Sequence, residues 1–372
     1  MAIAAELKKQ LPQIEIVYIG QRGDSLIDIP KQDPNIDTCY DISAGKFRRY
    51  HNEGWRQLLD LKTQYLNIRD AVRVIRGLWQ SWHLMKKINP DIVFTRGGFV
   101  SVPVAMAAKL RHIPYITHDS DSIPSLANRI IARWAIVHAV ALDPETYPYP
   151  IEKTFRVGVP IDSHYHFVSL KERQLYRKQL GLSDYHWVIC VTGGGNGAKQ
   201  LNEVLINNAQ YLLKVYPDLV IIHIAGRSHA QDLSLEYDNL LTDQRDRSRI
   251  VVKDYVNDLY RYSGAADIVI ARGGATNLAE FAAQGRVCII IPSKQLIWNV
   301  KNAKALAEAQ AVIELSEDQA EQEKRLANTV IDLLENPNKM KSMSNKIVHF
   351  AMPDSTNKIV ELILSTINYR QG

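Results

Sequence analysis

Short apolar segments rich in β-branched residues alternate with longer helical patterns along this chain. We predict strands at residues 14–19, 91–95, 115–118, 187–192, 219–225, 268–271 and 287–292. Residues 156–160, with Gly158 between two valines, have the pattern of a last strand before a connection. Such alternation is typical of α/β domains with parallel sheets. The sequence therefore predicts an α/β fold.

The length and the interruptions of this pattern predict two domains. A chain of 372 residues is too long for one typical domain. We predict a first domain of residues 1–160, a second of residues 161–350, and a helix within residues 351–372 that crosses back to the first. The chain opens on a helical pattern, whereas a doubly wound domain normally opens on a strand that carries a ligand loop. We therefore expect the first strand and its loop to be missing.

Composition excludes several classes of protein. The chain is 46% hydrophobic and 23% charged, which is ordinary for a globular protein. Its three cysteines are scattered without metal-ligand spacing, so we predict core thiols in a reducing compartment. No apolar run approaches the roughly 20 residues that span a bilayer, and no signal peptide is apparent. These features predict a cytoplasmic protein whose formal net charge of +5 suits anionic partners.

A glycine-rich loop follows the predicted strand at residues 187–192. The segment TGGGNGAKQLN places Gly193, Gly194 and Gly197 between a strand and a helix, where backbone N–H groups can approach an anion. A bare turn is the alternative, but so many glycines are costly in backbone entropy. The next strand ends in Gly226-Arg227 and not in an acidic residue, which disfavours NAD. No GxxxxGK[ST] loop is present, which disfavours a P-loop nucleotidase.

A second glycine turn follows the predicted strand at residues 268–271. In IVIARGGATNLAEFAAQG, Thr276 and Asn277 can cap a helix whose N-terminus would face a diphosphate. Glu280, about one turn further, is placed to accept hydrogen bonds from a ribose diol; a solvated glutamate is the ordinary alternative. Arg96-Gly97-Gly98 repeats the pattern after the strand at 91–95. We predict two ligand-facing loops that meet across one cleft.

Three segments together resemble the MurG family: ARGGATNLAEFAAQG, GGGNGAKQLN and GGFVSVPVAMAAKLRHIPYITHDSDSIPSLANRIIA. The resemblance covers nearly the whole chain in the right order. These enzymes transfer N-acetylglucosamine from UDP-GlcNAc to lipid I, making lipid II in peptidoglycan synthesis. The resemblance implies a GT-B fold, with two Rossmann-like doubly wound domains facing a cleft. It implies an inverting hexosyltransferase that needs neither a metal nor another cofactor, with the donor bound mainly by the second domain.

The resemblance also implies site residues. Glu280 matches the ribose-binding glutamate, Val256 the position beside the uracil, and Asn299 a glutamine that reads the sugar. The donor side comprises Gly193, Gly194, Asn196, Gly197, Val256, Arg272, Gly274, Ala275, Thr276, Asn277, Glu280 and Asn299. The side that binds the polyprenyl-pyrophosphate-linked acceptor comprises Gly97, Gly98, Phe99, Ser101, Asp121 and Asn128. His118 and Asp119 are the candidate catalytic residues.

The chain departs from the family pattern at several positions. The family's first strand and its GGTGGH-type loop, whose histidine is a candidate catalytic residue, would lie upstream of Met1. The family's HEQN segment is His118-Asp119-Ser120-Asp121 here, and an expected arginine is replaced near Asp162. We expect UDP binding by the second domain but poor sugar transfer. The alternatives are a lipid glycosyltransferase with another acceptor, and a catalytically impaired UDP-sugar-binding homologue.

A basic and aromatic segment spans residues 45–87. Apolar residues recur there at helical spacing, with cations beside them: Val72, Ile75, Leu78, Trp79 and Trp82, next to Arg73, Arg76, Lys86 and Lys87. Such a stripe faces the core of most proteins, but tryptophans among cations also suit an anionic lipid surface. Both interpretations stay open. Together with the implied lipid acceptor, the interpretation as a lipid-binding surface predicts peripheral attachment to the cytoplasmic side of the membrane. No sequence pattern supports binding to nucleic acid.

Overall fold

The computed structural model describes residues 1–24, 27–45, 61–195, 197–227 and 229–371. The chain forms two compact units. The first unit contains Met1–Pro160 and Asp354–Gly372, and the second contains Ile161–Pro353. The chain therefore leaves the first unit, builds the second, and returns.

The first unit contains two parallel sheets. Strands β1 (Val17–Gln21) and β2 (Thr38–Ile42) pair with each other. A four-stranded sheet has the sequential order β3 (Val93–Thr95), β4 (Tyr115–Asp119), β5 (Val137–Val140) and β6 (Thr154–Arg156). The helices are α1 (Ala2–Gln10), α2 (Asp28–Gln32), α3 (Leu61–Ile88), α4 (Ser101–Leu110), α5 (Leu126–Ile131) and α16 (Ser355–Gln371).

The last helix completes the core of the first unit. Ile359 and Val360 of α16 are fully buried in one cluster with Leu7 of α1 and Ile116 of β4. The Ser355 hydroxyl at the start of α16 donates to a backbone carbonyl oxygen of the first unit over 2.7 Å. These contacts make α16 part of the first unit, although it is distant in sequence.

The second unit is a six-stranded parallel sheet with helices on both faces. Its spatial order is β9-β8-β7-β10-β11-β12, which is the doubly wound order 3-2-1-4-5-6. The strands are β7 (Trp187–Thr192), β8 (Leu219–Ile224), β9 (Ile250–Lys253), β10 (Ile268–Ala271), β11 (Val287–Ile290) and β12 (Ile313–Glu314). The helices are α6 (Leu170–Gln179), α7 (Lys199–Val215), α8 (Ala230–Leu240), α9 (Gln244–Ser248), α10 (Leu259–Ala265), α11 (Ala275–Ala283), α12 (Ile297–Glu308), α13 (Glu317–Ala320), α14 (Arg325–Leu334) and α15 (Pro337–Val348).

Alternate residues of the central strands face two separate cores. Ile189 and Val191 of β7 lie in one hydrophobic cluster, and Val188 and Cys190 lie in the other. A strand covered on both faces needs apolar residues at every position, which explains its unbroken apolar sequence. Cys190 and Cys288 are buried free thiols, and Cys39 is a partly buried one.

The predicted strands at 187–192 and 268–271 are confirmed, and the one at 219–225 ends one residue earlier. The prediction at 156–160 is wrong: the strand is Thr154–Arg156, and Gly158 at φ 81° turns the chain out of the sheet. Strands β2, β5, β9 and β12 were not predicted. Among the described residues, no helix is long and apolar enough to cross a membrane.

Candidate functional site

Two glycine turns lie side by side at the centre of the second unit. Strands β7 and β10 are neighbours although two strands and their helices separate them in sequence, so the strand order reverses between them. Ligands of open α/β sheets bind outside the carboxyl ends of the strands at such a point. Both predicted donor turns begin there, directly after Thr192 and Ala271.

The loop after β7 requires its glycines. A Cβ on Gly193 would lie 2.7 Å from the backbone nitrogen of Ala198, and one on Gly197 would lie 2.4 Å from the carbonyl oxygen of Ala225. Gly194 and Gly197 have φ of 86° and 73°. The loop thus brings bare backbone to the start of α7, a helix of 17 residues. Asn196, the other predicted member of this loop, lies outside the described residues.

The turn after β10 is fixed by α12. A Cβ on Gly273 would lie 2.3 Å from the carbonyl oxygen of Asn299, and the Asn302 side-chain amide donates to the Gly273 carbonyl over 3.0 Å. Gly274 occupies the N-cap of α11 without a side-chain cap. The prediction that Thr276 and Asn277 cap this helix is therefore wrong, because α11 already begins at Ala275 and both lie within its first turn.

Arg272 is anchored by a buried carboxylate. Its Nη1 donates to Glu317 Oε1 over 2.7 Å and to the Ile291 carbonyl over 3.0 Å. Glu317 is buried, and its Oε2 accepts from the backbone N–H of Lys294 over 3.1 Å. The arginine therefore ties the turn to α13. The sequence analysis missed Glu317, and only the Ser316 capping box marks the start of its helix.

Glu280 is partly buried, close to the exposed carboxylate of Asp162. Burial raises the pKa of the Glu280 carboxyl to about 7; the nearby Asp162 carboxylate adds to the rise, and a hydrogen bond from Tyr165 opposes it. The ordinary alternative was a fully solvated helical glutamate, whereas this side chain is partly buried. Asp162 is itself bound to His164, which stacks on Tyr260 with ring centroids 4.8 Å apart. A partly buried carboxylate with free lone pairs is suited to accept hydrogen bonds from hydroxyl donors.

The remaining donor-side predictions lie around the two turns. Val256 is partly buried against the second core cluster, and the Arg227 guanidinium lies 4.2 Å from the ring centroid of the exposed Tyr255. Asn299 is buried and contributes its carbonyl oxygen to the packing against the β10 turn. The residue before it, Trp298, is 40% exposed. Neither Tyr255, Arg227 nor Trp298 was predicted.

The acceptor-side loop of the first unit also requires a glycine. Gly97 has φ 79°, and a Cβ there would lie 2.6 Å from Ser125 Oγ and 2.8 Å from Asn128 Nδ2. The Ser125 hydroxyl donates to the Gly97 carbonyl over 2.8 Å. Gly98 faces open space, and Ser101 at the start of α4 shares a hydrogen bond with Thr95. Phe99 lies partly buried between Gly98 and α4.

His118 is a buried neutral residue. Its Nε2 donates to the Gly158 carbonyl over 2.9 Å, and its Nδ1 lies 3.3 Å from the Ser120 hydroxyl. Burial, and next the charge of Arg96, lowers the pKa of His118 to about 4. The Asn128 amide donates to the His118 carbonyl over 3.0 Å. As a base, this imidazole would be weak at neutral pH.

Asp119 is held at the end of β4. Its Oδ2 accepts from the Tyr149 hydroxyl over 2.7 Å, and its Oδ1 accepts from the Ser125 N–H over 3.1 Å. Only 3% of the residue is exposed, and burial raises the pKa of its carboxyl. Asp121 is partly exposed nearby, and its carbonyl accepts from Tyr147. A raised pKa makes the Asp119 carboxylate a stronger base, which is the direction that general base catalysis requires.

Family models match both halves of the chain. Residues 1–139 match the glycosyltransferase family 28 N-terminal domain, and residues 188–359 match the glycosyltransferase family 28 C-terminal domain. A relative from Bacillus pumilus is 27% identical over 369 residues, covering 98% of this chain and 94% of the relative. One from Bacillus subtilis is 27% identical over 365 residues, covering 98% and 94%. Both are named UDP-N-acetylglucosamine--N-acetylmuramyl-(pentapeptide) pyrophosphoryl-undecaprenol N-acetylglucosamine transferase.

Solved structures agree on the fold. MurG from Acinetobacter baumannii superposes with a TM-score of 0.69 at 22% identity, covering 98% of this chain and 94% of that one. A UDP-GlcNAc 2-epimerase from Neisseria meningitidis, bound to UDP-GlcNAc, superposes with a TM-score of 0.64 at 13% identity, covering 98% and 96%. These likenesses support the GT-B fold. With both family 28 domains in sequence order and full-length relatives of one name, the chain belongs to the MurG family of hexosyltransferases within glycosyltransferase family 28.

Proposed function

We propose that this chain transfers N-acetylglucosamine from UDP-GlcNAc to lipid I, the polyprenyl-pyrophosphate-linked acceptor, and so makes lipid II for peptidoglycan. The observation that carries the proposal is the pair of glycine turns at the switch point of the second unit, with Glu280 one helix turn beyond. The activity printed in the names of the full-length relatives supports the choice of donor and acceptor.

The second unit supplies what a UDP leaving group needs. Backbone N–H groups at the starts of α7 and α11, together with the helix dipoles, would stabilise the negative charge of the departing UDP without any metal. Among the described residues, no cluster of three or more histidine, cysteine or acidic side chains could hold a metal ion. We assign Glu280 to the ribose hydroxyls, Val256 to the edge of the uracil, and Asn299 to the sugar.

An inverting transfer is a single in-line displacement. The acceptor oxygen bonds to the anomeric carbon as the bond from that carbon to the β-phosphate oxygen breaks and UDP departs. The acceptor hydroxyl loses its proton to a general base. Burial makes the Asp119 carboxylate a stronger base than an ordinary aspartate and the His118 imidazole a weaker base than an ordinary histidine, and His118 Nε2 is already bonded to the Gly158 carbonyl. We therefore assign the role of general base to Asp119. Asp119 must then gain access to the acceptor, since it is buried here.

The stripe on α3 supports attachment to a membrane surface, which we propose is the cytoplasmic face. Leu78 packs into the core, but Ile68, Val72, Ile75 and Trp79 are each 60–68% exposed. Arg73 and Arg76 lie on the same helix, and the Arg111 guanidinium lies 5.1 Å from the ring centroid of Trp82. Apolar and cationic side chains in this arrangement bind anionic interfaces. A core-facing stripe does not explain their exposure.

A transfer assay tests the proposed function. Purified chain is incubated with radiolabelled UDP-GlcNAc and a short-chain lipid I analogue, with UDP-glucose as the control donor. We expect labelled disaccharide product from UDP-GlcNAc alone, formed at the low rate that the sequence analysis predicts. Product with diacylglycerol or an unrelated polyprenyl acceptor, and none with lipid I, would reassign the acceptor. UDP-GlcNAc binding without transfer to any acceptor would favour the impaired homologue.

Flotation with vesicles tests the membrane attachment. We expect binding to phosphatidylglycerol vesicles that weakens from 50 to 500 mM salt, because salt screens the cations. Ile75→Ser/Trp79→Ser should abolish flotation, whereas the matched exposed change Leu235→Ser in the second unit should leave it intact. Equal flotation of the two variants would contradict the assignment of the α3 stripe.

A further inference from the structure

An open cavity of about 690 Å³ lies in the first unit, where β1 and β2 end beside the C-terminal half of α3. Three cations line it, Arg22, Lys31 and Lys87, together with one carboxylate, Asp41. Its volume is in the range of small-molecule sites. The proposed donor and acceptor residues do not line this cavity, which has an excess of positive charge.

The cations are weakly neutralised. Lys31 Nζ lies 3.5 Å from Asp28 Oδ1, and both side chains are exposed, so this pair is solvated. Arg22 lies 3.4 Å from Asp41, and both side chains are about half exposed, so the pair is solvated and weak. Lys87 donates to the Tyr40 hydroxyl over 3.2 Å, with its ammonium 5.3 Å from the centroid of that ring. Among the described side chains, no carboxylate forms an ion pair with Lys87. An anion entering the cavity would therefore meet charges that are still available.

The cavity is continuous with the exposed stripe on α3. Trp79 lines the cavity and is 65% exposed, and Ile75 and Val72 continue the same helix face. One end of the surface is thus cationic and concave, and the other is apolar and exposed. Tryptophan between two such regions is typical of membrane interfaces, where the ring lies at headgroup level. The ligand that fits has a compact anionic head and an apolar tail.

We propose that this cavity binds the phosphate headgroup of an anionic membrane lipid. Arg22, Lys31 and Lys87 surround the phosphate, and Trp79 lies beside the start of the acyl chains. The proposal rests on the membrane attachment argued above and adds to it a saturable site that takes one lipid per chain. Diffuse attraction between a basic surface and a charged bilayer has no such stoichiometry.

A monomeric lipid separates this site from general membrane binding. Dihexanoyl phosphatidylglycerol, kept below its micellar concentration, is titrated into the full chain by calorimetry. We expect one-to-one binding at least tenfold tighter than that of dihexanoyl phosphatidylcholine or inorganic phosphate. Equal binding of phosphatidylcholine would show that the cations take no part, and equal binding of inorganic phosphate would show that the tail takes none. Either result overturns the proposal.

Paired variants test the location. Removing a cation near a lipid phosphate costs about fivefold in affinity, so Arg22→Gln/Lys87→Gln should weaken binding about 25-fold. The matched control Lys9→Gln/Lys153→Gln removes the same charge from the first unit outside the cavity and should change affinity less than twofold. Equal losses in both pairs would overturn the proposal. Should the cavity pair fail to fold, Lys87→Gln alone, at an exposed position, should lose about fivefold.

Failure of the site and failure of the proposed function are distinguishable. Wild-type transfer to a short-chain soluble acceptor, measured without membranes, reports on the proposed function alone. Lipid binding with no transfer would retain the site and refute the function. Transfer with no phosphatidylglycerol binding would retain the function and refute the site.

Discussion

Replacing Glu280 by glutamine should stabilise the ligand-free protein and lower its affinity for the UDP-GlcNAc donor. The folded carboxyl has a pKa of about 7 against an ordinary 4.5, because burial and Asp162 disfavour its charge. Below pH 4.5 Glu280 is protonated in both the folded and the unfolded chain, and the free energy of unfolding has its full value. As the pH rises through 7, the carboxyl must ionise in its partly buried position, and the free energy of unfolding falls. The difference corresponds to at most about 3 kcal/mol at pH 8.5, since the carboxyl is only partly buried and solvent screens part of the effect. Glutamine, which cannot ionise, avoids this loss.

Urea unfolding of the full chain at pH 4.5, 7 and 8.5 measures this effect. We expect the wild type and Glu280→Gln to unfold at similar urea concentrations at pH 4.5. At pH 8.5 the variant should be more stable by up to about 3 kcal/mol. Glu335→Gln, at an exposed position of the second unit, should follow the wild type throughout. Parallel profiles for the wild type and Glu280→Gln would refute the reasoning.

The affinity for the donor should rise with pH, whereas the free energy of unfolding falls. The ribose hydroxyls donate to an ionised carboxylate, and at a pKa of about 7 roughly a tenth of Glu280 is ionised at pH 6 and nine-tenths at pH 8. Wild-type affinity for UDP-GlcNAc, whose diphosphate does not titrate in this range, should rise about tenfold. Glu280→Gln should bind about 1.5–3 kcal/mol more weakly at pH 8, with little pH dependence. Calorimetry that finds equal affinities would remove Glu280 from the ribose site.

Two further predictions concern the turn after β10. Glu317→Gln leaves the largely buried Arg272 side chain without its carboxylate partner, so the second unit should lose about 3 kcal/mol of unfolding free energy by urea titration; a loss below 1 kcal/mol would contradict this. Gly273→Ala forces a Cβ to within 2.3 Å of the Asn299 carbonyl, whereas Gly274→Ala meets open space. We expect a loss of about 1–3 kcal/mol for the first and less than 1 kcal/mol for the second, and equal thermal unfolding midpoints would be inconsistent with that packing.

The strands that the sequence predicts best are those buried on both faces. In β7 and β10 every position is apolar or small, so the boundaries are visible in the sequence. Strand β5 was missed because His138 interrupts it, and only the structure shows that ring buried against Tyr149, with centroids 4.1 Å apart. Two-residue β12 is too short for any periodicity to identify.

Within the site, local geometry was predictable and long-range pairing was not. The glycine turns are visible in the sequence because they follow predicted strands and because the positive φ angles of Gly194 and Gly197 arise locally. The close approaches of Gly197 to Ala225 and of Gly273 to Asn299 join distant segments and were not predictable. Arg272 and Glu317 are 45 residues apart, and no pattern in either segment indicates their contact. The burial of His118 and Asp119 was also unpredictable, since it depends on elements packed around β4.

The return of α16 to the first unit determines the order in which the chain can fold during synthesis. A ribosome delivers Leu7 at the beginning and Ile359 near the end, yet both belong to one cluster. The second unit is contiguous and can complete its sheet while the first still lacks part of its core. Domains usually fold in order from the N-terminus, but here the second unit can complete its folding before the first. A premature stop codon before α16 would therefore yield a chain whose second unit folds while the first keeps apolar residues exposed to proteases and chaperones.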